Sequence, residues 1–196
     1  ANRRATGVSV TGMNALTITG LVAHYNTVGL SVDYMYRTSP ANLYYANVTQ
    51  APRIVAPDLR YNGTGLGLTA WSLKSQISDP YYPVTSLAAD PLQPTQVGIF
   101  GLDVAGSDYG VYSGGALRGM SFEHMALDNP TVGIYLNGAS SDLRFDDLDL
   151  SGPGRGTGLS CRNDGYGSRC GTDILFRDIT VSHRSTGMFV NGNDLR

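Results

Sequence analysis

The chain repeats one pattern of apolar residues three times, at residues 120–127 (MSFEHMAL), 143–150 (LRFDDLDL) and 174–181 (ILFRDITV). Each copy is followed by a shorter phrase with a glycine near its start, at residues 131–137 (TVGIYLN), 156–163 (GTGLSCRN) and 185–191 (STGMFVN). The apolar residues alternate within each phrase, which is typical of strands, and polar pairs such as Glu123 and His124 interrupt the alternation where the chain would turn. Each repeat therefore contains two strand phrases.

A period of about 20 to 30 residues with short strands and no helical pattern is typical of a solenoid, in which stacking buries the apolar columns. Earlier copies begin at Leu16, Leu43 and Val97. The sequence thus predicts an all-β, single-stranded parallel β-helix of about six rungs, with one domain over residues 1–196. A β-sandwich fits less well because its strands need not share a two-phrase repeat, and the leucine-rich-repeat spacing is missing.

Two segments interrupt the repeat. Residues 72–96 contain prolines that exclude a central strand, so a loop excursion is predicted there. The second is the loop bracketed by Cys161 and Cys170, for which a local disulfide and an oxidising compartment are predicted. The alternative is a buried thiol at Cys161, since this position is inward in the other copies.

Composition limits the partners of the chain. A formal net charge of −2 gives no basic surface for nucleic acid, and the sequence has neither an apolar run of membrane-spanning length nor a signal peptide. No amphipathic helix caps the core at either end and there is no initiating Met. The expectation is a fragment of a longer chain, or ends covered by a protein partner or by self-association.

Alternation on the glycine-led phrase predicts an outward aromatic column with polar residues beside it. Ring faces could hold the C–H face of a sugar, while amides and guanidinium groups bind hydroxyls or carboxylates. The predicted substrate-binding residues are Tyr112, Tyr135, Phe189, Asn137, Arg162 and Asn191. Alternatively, the rings form cross-strand pairs that stabilise the sheet, and the asparagines serve the turns.

Acidic residues also fall in columns. Glu123, Asp146 and Arg177 are expected to share an outward column, and His124, Asp147 and Asp178 a corner. Stacked carboxylates could bind a calcium ion, but solvated turn acids are the simpler interpretation, so no cofactor and no metal site are assigned. The weak candidates for a catalytic group are Asp108, His183 and Arg184. Asn47 and Asn62 lie in glycosylation sequons.

The paired phrases resemble the right-handed parallel β-helix of the pectin-lyase-like superfamily. The resemblance implies a right-handed fold shared by pectate lyases, polygalacturonase-like hydrolases, phage tailspikes and non-catalytic adhesins, so it leaves function open. In the polygalacturonase-like enzymes, catalytic acids lie just before the glycine. No acid occupies that position here, where the residues are Val28, Thr64, Tyr109, Val132, Thr157 and Thr186.

These observations lead to an extracellular, periplasmic or cell-surface protein that binds or degrades a polysaccharide. Degradation would be of the lyase or glycoside hydrolase type, and the sequence does not decide whether the chain is an enzyme. The alternative is a non-catalytic β-helix that acts as an adhesin, a tailspike-like receptor binder or a structural subunit of a larger assembly.

Overall fold

The computed structural model describes residues 5–11, 17–33, 53–68, 71–72, 98–114, 117–128, 131–137, 140–162 and 171–191. Within these residues all regular structure is strand, and every strand pairs in parallel with its neighbours. The strands are β1 (Thr6–Thr11), β2 (Thr17–Thr19), β3 (Val28–Asp33), β4 (Arg53–Val55), β5 (Thr64–Leu68), β6 (Trp71–Ser72), β7 (Gly98–Phe100), β8 (Asp103–Ala105), β9 (Tyr109–Ser113), β10 (Leu117–Asp128), β11 (Val132–Asn137), β12 (Ser140–Asp149), β13 (Thr157–Arg162), β14 (Gly171–Thr180) and β15 (Thr186–Val190).

The strands form two parallel sheets. The first, here called the glycine-led sheet, has the order β1-β3-β5-β9-β11-β13-β15. The second sheet contains β2, β4 and β7, followed by the long strands β10, β12 and β14, with β6 and β8 pairing with β10. The predicted all-β, parallel, two-phrase architecture is confirmed at this level, and the stacked repeats are consistent with a parallel β-solenoid.

Strand β1 was not among the six predicted glycine-led phrases. Its sequence T-G-V-S-V matches the later phrases, and Val8 pairs with Leu30 of β3 in the same register as the other strands. The pattern was therefore visible in the sequence. Of the predicted loop 72–96, Ser72 belongs to β6 and the remainder lies outside the described residues.

The core consists of inward columns that run from repeat to repeat. Phe122, Phe145 and Phe176 stack with centroid distances of 4.9 and 5.1 Å. On the glycine-led sheet the column Leu30, Leu66, Val111, Ile134 and Leu159 is fully buried. The next member, Met188, is 37% exposed because no described strand pairs with the far edge of β15.

Each repeat of the second sheet turns a corner through a residue with left-handed backbone geometry. His124, Asp147 and Asp178 have φ values of 54°, 52° and 51°, which confirms that they share the predicted corner. Ala56 and Gly101 hold the equivalent position in earlier repeats, with φ values of 48° and 65°. A left-handed conformation costs a residue with a side chain roughly 1–2 kcal/mol, so stacking must compensate at each corner.

The glycine near the start of a glycine-led strand is required by close backbone approach where another strand follows, as at Gly7, Gly29, Gly65, Gly133 and Gly158. A Cβ atom on Gly133 would lie 2.6 Å from the carbonyl oxygen of Gly158, and one on Gly158 would lie 2.6 Å from the carbonyl oxygen of Gly187. Gly7 faces Gly29 in the same way, also at 2.6 Å. Neighbouring repeats therefore exclude a side chain at this position.

Candidate functional site

The outer face of the glycine-led sheet carries the predicted aromatic column. Tyr112 pairs in register with Tyr135, which is followed by Ser160 and then Phe189. The rings of Tyr112 and Tyr135 are stacked, with centroids 5.2 Å apart and planes 5° apart. Tyr109 approaches both rings edge-on, at 5.6 and 6.2 Å. The predicted alignment of these residues is confirmed.

Access to this column varies along its length. Tyr112 and Tyr135 are half-buried, whereas Phe189 is 46% exposed. Ser160 lies between Tyr135 and Phe189 and is only 2% exposed, and its Oγ has no hydrogen-bond partner within the described residues. The stack uses one face of each tyrosine, so cross-strand stabilisation and sugar binding are both compatible with the geometry.

The predicted polar column beside the rings is also in register. Asn137 pairs with Arg162, and Asn191 comes directly after β15, where its backbone N–H donates to the carbonyl oxygen of Cys161 at 3.3 Å. Asn191 is exposed, while the side chains of Asn137 and Arg162 fall outside the description. Backbone geometry therefore brings these three residues together along one edge.

The three weak catalytic candidates do not converge. Asp108 is exposed in the turn before β9, and His183 is exposed with a φ of 52° in the turn before β15. Because β11 and β13 lie between β9 and β15 in the sheet, these turns are three strand spacings apart, roughly 14 Å. Asp108 therefore does not reach His183 or Arg184.

Arg184 serves the backbone of the turns. Its guanidinium donates to the carbonyl oxygens of Leu127 at 3.0 Å, Leu150 at 2.8 Å and Ser151 at 2.5 Å. Burial lowers the pKa of Arg184 below its usual range. These contacts give this residue a structural position that ties consecutive repeats together.

A second aromatic cluster lies at the turn between the second sheet and the glycine-led sheet. The rings of Tyr25 and Tyr61 are stacked, with centroids 5.4 Å apart and planes 9° apart. They remain 63% and 43% exposed. Both residues have left-handed backbones, with φ values of 62° and 59°. Tyr61 lies over Gly106, where a Cβ atom would come within 2.7 Å of its ring.

Polar groups border these tyrosines. Asp58 accepts hydrogen bonds from Arg60 at 2.8 and 2.5 Å and contacts Nε2 of His24 at 2.7 Å. The Arg60 hydrogen bond, with a further contribution from His24, holds the pKa of Asp58 well below its usual range. The His24 ring lies edge-on to both tyrosines at 6.2 Å. We refer to His24, Tyr25, Asp58, Arg60 and Tyr61 as the tyrosine corner cluster.

Sequence reasoning missed the tyrosine corner cluster. The signal was a repeated Tyr-Asn pair, at Tyr25 and Asn26 and again at Tyr61 and Asn62. Asn62 is fully buried: Nδ2 donates to the carbonyl oxygens of Ala23 and Leu59, both at 2.7 Å, and Oδ1 accepts the backbone N–H of Asn26. The predicted sequon at Asn62 is therefore inaccessible to glycosylation in the fold, and Asn47 lies outside the described residues.

The predicted charged column on the second sheet is in register, but its acids are not solvated. Glu123 and Asp146 are 8% and 5% exposed. Asp146 accepts from Arg144 at 2.6 Å and from Arg177 through two nitrogens, and these hydrogen bonds, that of Arg177 foremost, lower its pKa to about 2. Arg144 and Arg177 therefore neutralise the Asp146 carboxylate, the role for which a calcium ion was considered from the sequence. The described residues contain no group of three or more His, Cys, Asp and Glu arranged to hold a metal ion.

At the adjoining corner His124 contacts Asp147 at 2.7 Å, and this hydrogen bond raises the pKa of His124.

Of the two cysteines, Cys161 is buried in the inward column, while Cys170 lies outside the described residues, so the disulfide stays a prediction. No helix long and apolar enough to cross a membrane occurs in the described segments.

Comparison with protein-family models, with curated proteins and with solved structures found no match to this chain.

Proposed function

We propose that this chain is a right-handed parallel β-helix of the pectin-lyase-like type that binds a polysaccharide outside the cell. The observation that carries the proposal is the stacked pair of Tyr112 and Tyr135, in register with Phe189 on the outer face of the glycine-led sheet. A polymer laid across parallel strands meets equivalent positions at each repeat, roughly 4.8 Å apart. The sheet thus supports contacts with successive units of a chain.

The chemistry of the face suits a sugar. Tyrosine offers an apolar ring for the C–H face and a hydroxyl for a hydrogen bond. The neighbouring column of Asn137, Arg162 and Asn191 would supply donors and acceptors for hydroxyl or carboxylate groups. A few polar groups beside aromatic surface are the usual composition of a ligand site.

Binding without cleavage is the form of the proposal that the geometry favours. A glycoside hydrolase needs two carboxyl groups about 5 to 10 Å apart across the bond. Asp108 is exposed near the stacked tyrosines, but neither of the other two candidates, His183 and Arg184, is a carboxylic acid, so the three candidates do not supply such a pair.

The test is binding to a panel of neutral and uronic-acid polysaccharides, with product size followed in the same incubations. Replacing Tyr112 and Tyr135 together by Ala is expected to weaken binding, while Leu175→Ser, at an exposed position on the second sheet, serves as the control. Shortened products would indicate an enzyme, with unsaturated ends for a lyase and saturated ends for a hydrolase. If the variant that lacks both tyrosines still binds as wild type does, the polysaccharide site does not lie on the outer face of the glycine-led sheet.

The second candidate is a structural subunit or adhesin that associates with protein. Met188 and Phe189 are 37% and 46% exposed on β15, whose outer edge pairs with no other strand in the described part of the chain. Strand edges and apolar patches favour association. Concentration-dependent mass by light scattering, reduced in Phe189→Ser, would favour this function.

A further inference from the structure

We infer that the tyrosine corner cluster is a separate binding site that takes a neutral sugar residue. The inference deepens the proposed function and rests on it for the class of ligand, although the site lies in a different part of the surface. None of the residues that were predicted from the sequence to bind substrate belongs to this cluster.

The backbone does not require tyrosine at these two positions. Gly106 holds the equivalent turn position in the next repeat, with a φ of 67°. Placing a side chain in this conformation costs roughly 1–2 kcal/mol per residue, and a stacked aromatic pair returns roughly 0.5–1.5 kcal/mol. Burial of the Tyr25 side chain adds little to the stability of the fold, because this side chain is 63% exposed. Two strained, exposed aromatic residues side by side are therefore better explained by a ligand than by stability.

The stacked rings provide an apolar surface for the C–H face of a pyranose. Val22, at 64% exposure, pairs through its backbone with Asp58 of the cluster. The ring of Tyr61 lies over Gly106, and the ring of Tyr25 stacks on that of Tyr61 with a centroid distance of 5.4 Å, so Tyr61 holds the Tyr25 ring in position. This arrangement lowers the conformational entropy lost when a ligand binds.

The polar neighbours are preorganised for hydroxyl groups. Asp58 fixes both His24 and Arg60 by hydrogen bonds, at 2.7 and 2.8 Å. Arg60 is 39% exposed, and a guanidinium carries more N–H donors than the two that face Asp58. Donors for sugar oxygens therefore lie next to the aromatic surface.

The local charge favours a neutral sugar over a uronate. Asp103 pairs with Asp58 through an isolated parallel bridge and is exposed. Both carboxylates act on Arg60, and together they raise its pKa above its usual range. The carboxylate of a uronate would be repelled by Asp58 and Asp103 and attracted by Arg60 alone. Its binding would therefore be weakened at low salt, where charge repulsion is least screened.

The experiment compares two pairs of substitutions in the same full chain. Tyr25→Gly with Tyr61→Gly removes both rings and relieves the left-handed backbone, so the fold should be retained, as checked by circular dichroism. Tyr25→Phe with Tyr61→Phe keeps the rings and serves as the matched control. Tyr112→Ala with Tyr135→Ala tests the glycine-led face independently. The probes are neutral oligosaccharides of glucose, mannose or galactose, and an oligogalacturonate.

The glycine pair is expected to weaken binding of a neutral oligosaccharide at least about tenfold, and the phenylalanine pair to retain it within about threefold. Unchanged binding in the glycine pair, with loss in the Tyr112 and Tyr135 variant, would overturn this inference and leave the proposed function in place. Loss of oligogalacturonate binding alone in the glycine pair would overturn the ligand class. If the wild-type chain binds none of the probes, both proposals are wrong.

Discussion

Arg184 donates a hydrogen bond to the carbonyl oxygen of Leu127 at 3.0 Å across 57 residues of sequence. The same guanidinium reaches the carbonyl oxygens of Leu150 and Ser151, so one side chain binds backbone carbonyls of two earlier repeats. Asn62 has a similar role, because its side-chain amide donates hydrogen bonds to the carbonyl oxygens of Ala23 and Leu59. Turns in this fold thus depend on a few polar side chains that cross between repeats.

Arg184→Ala should lower the free energy of unfolding by about 2 kcal/mol, because it removes three hydrogen bonds to partly buried carbonyl groups. Urea denaturation measures the change. Arg155→Ala, at the exposed equivalent position one repeat earlier, is the control and should be neutral. Equal stability of the two variants would contradict the structural role of Arg184.

Gly158→Ala should destabilise the chain by about 1–3 kcal/mol, since its Cβ atom would press on the carbonyl oxygen of Gly187. Gly187→Ala is a matched control in the same column. Its Cβ atom would meet nothing closer than a side-chain carbon of Val181 at 3.8 Å. Thermal unfolding of the two variants should therefore differ, and equal midpoints would argue against the stacking register.

Asn62→Ala should be among the most destabilising polar substitutions, at about 3 kcal/mol, because the carbonyl of Ala23 and the backbone N–H of Asn26 lose the partner that Asn62 provides. The carbonyl of Leu59 would keep only the hydroxyl of Ser107, at 3.4 Å. Asn26→Ala, at a part-buried position, should have a smaller effect. Denaturant titration distinguishes them. In chain secreted from eukaryotic cells, mass spectrometry should find the Asn62 peptide without a glycan, and full occupancy there would contradict its burial.

Asp146 makes stability depend on pH at the acidic end. Its pKa falls from 3.8 to about 2, chiefly through Arg177 and then Arg144. A depressed pKa gives stability that is fully present above the unfolded value and is lost as the pH falls through about 2. The contribution is about 2 kcal/mol.

The corresponding measurement is urea unfolding of wild type and Asp146→Asn at pH 6 and near pH 2. The difference between the two proteins should shrink toward acid, and Arg177→Gln should reduce it in the same way. A stability difference that stays constant over this pH range would rule out the ion pair as its source.

The repeat was readable because its inward columns are apolar and periodic. Phe122, Phe145 and Phe176 could be aligned by eye, and they stack as expected. The corner at His124 followed from one break in the alternation. What the sequence could not provide was the direction of short polar side chains. Asn62 reads as a surface turn residue until its neighbours in three dimensions are known.

Of the two candidate sites, one could be predicted from the sequence and the other could not. Register alone placed Tyr112 opposite Tyr135, because alternation fixes the face of a strand. The tyrosine corner cluster escaped prediction because Tyr25 and Tyr61 occupy left-handed turn positions, where aromatic residues are not expected. The burial of Glu123, whose Oε1 lies 3.9 Å from Nε of Arg144, likewise depends on tertiary packing that periodicity does not encode.

We propose above all that this chain binds a polysaccharide through its aromatic surfaces. The most direct measurement is isothermal titration of the full chain with neutral and uronic oligosaccharides, followed by sizing of the recovered sugar. We predict saturable binding that weakens when Tyr112 and Tyr135 are replaced by Ala, with the oligosaccharide recovered at its original length. Absence of binding to every member of the panel would contradict it and direct attention to protein partners.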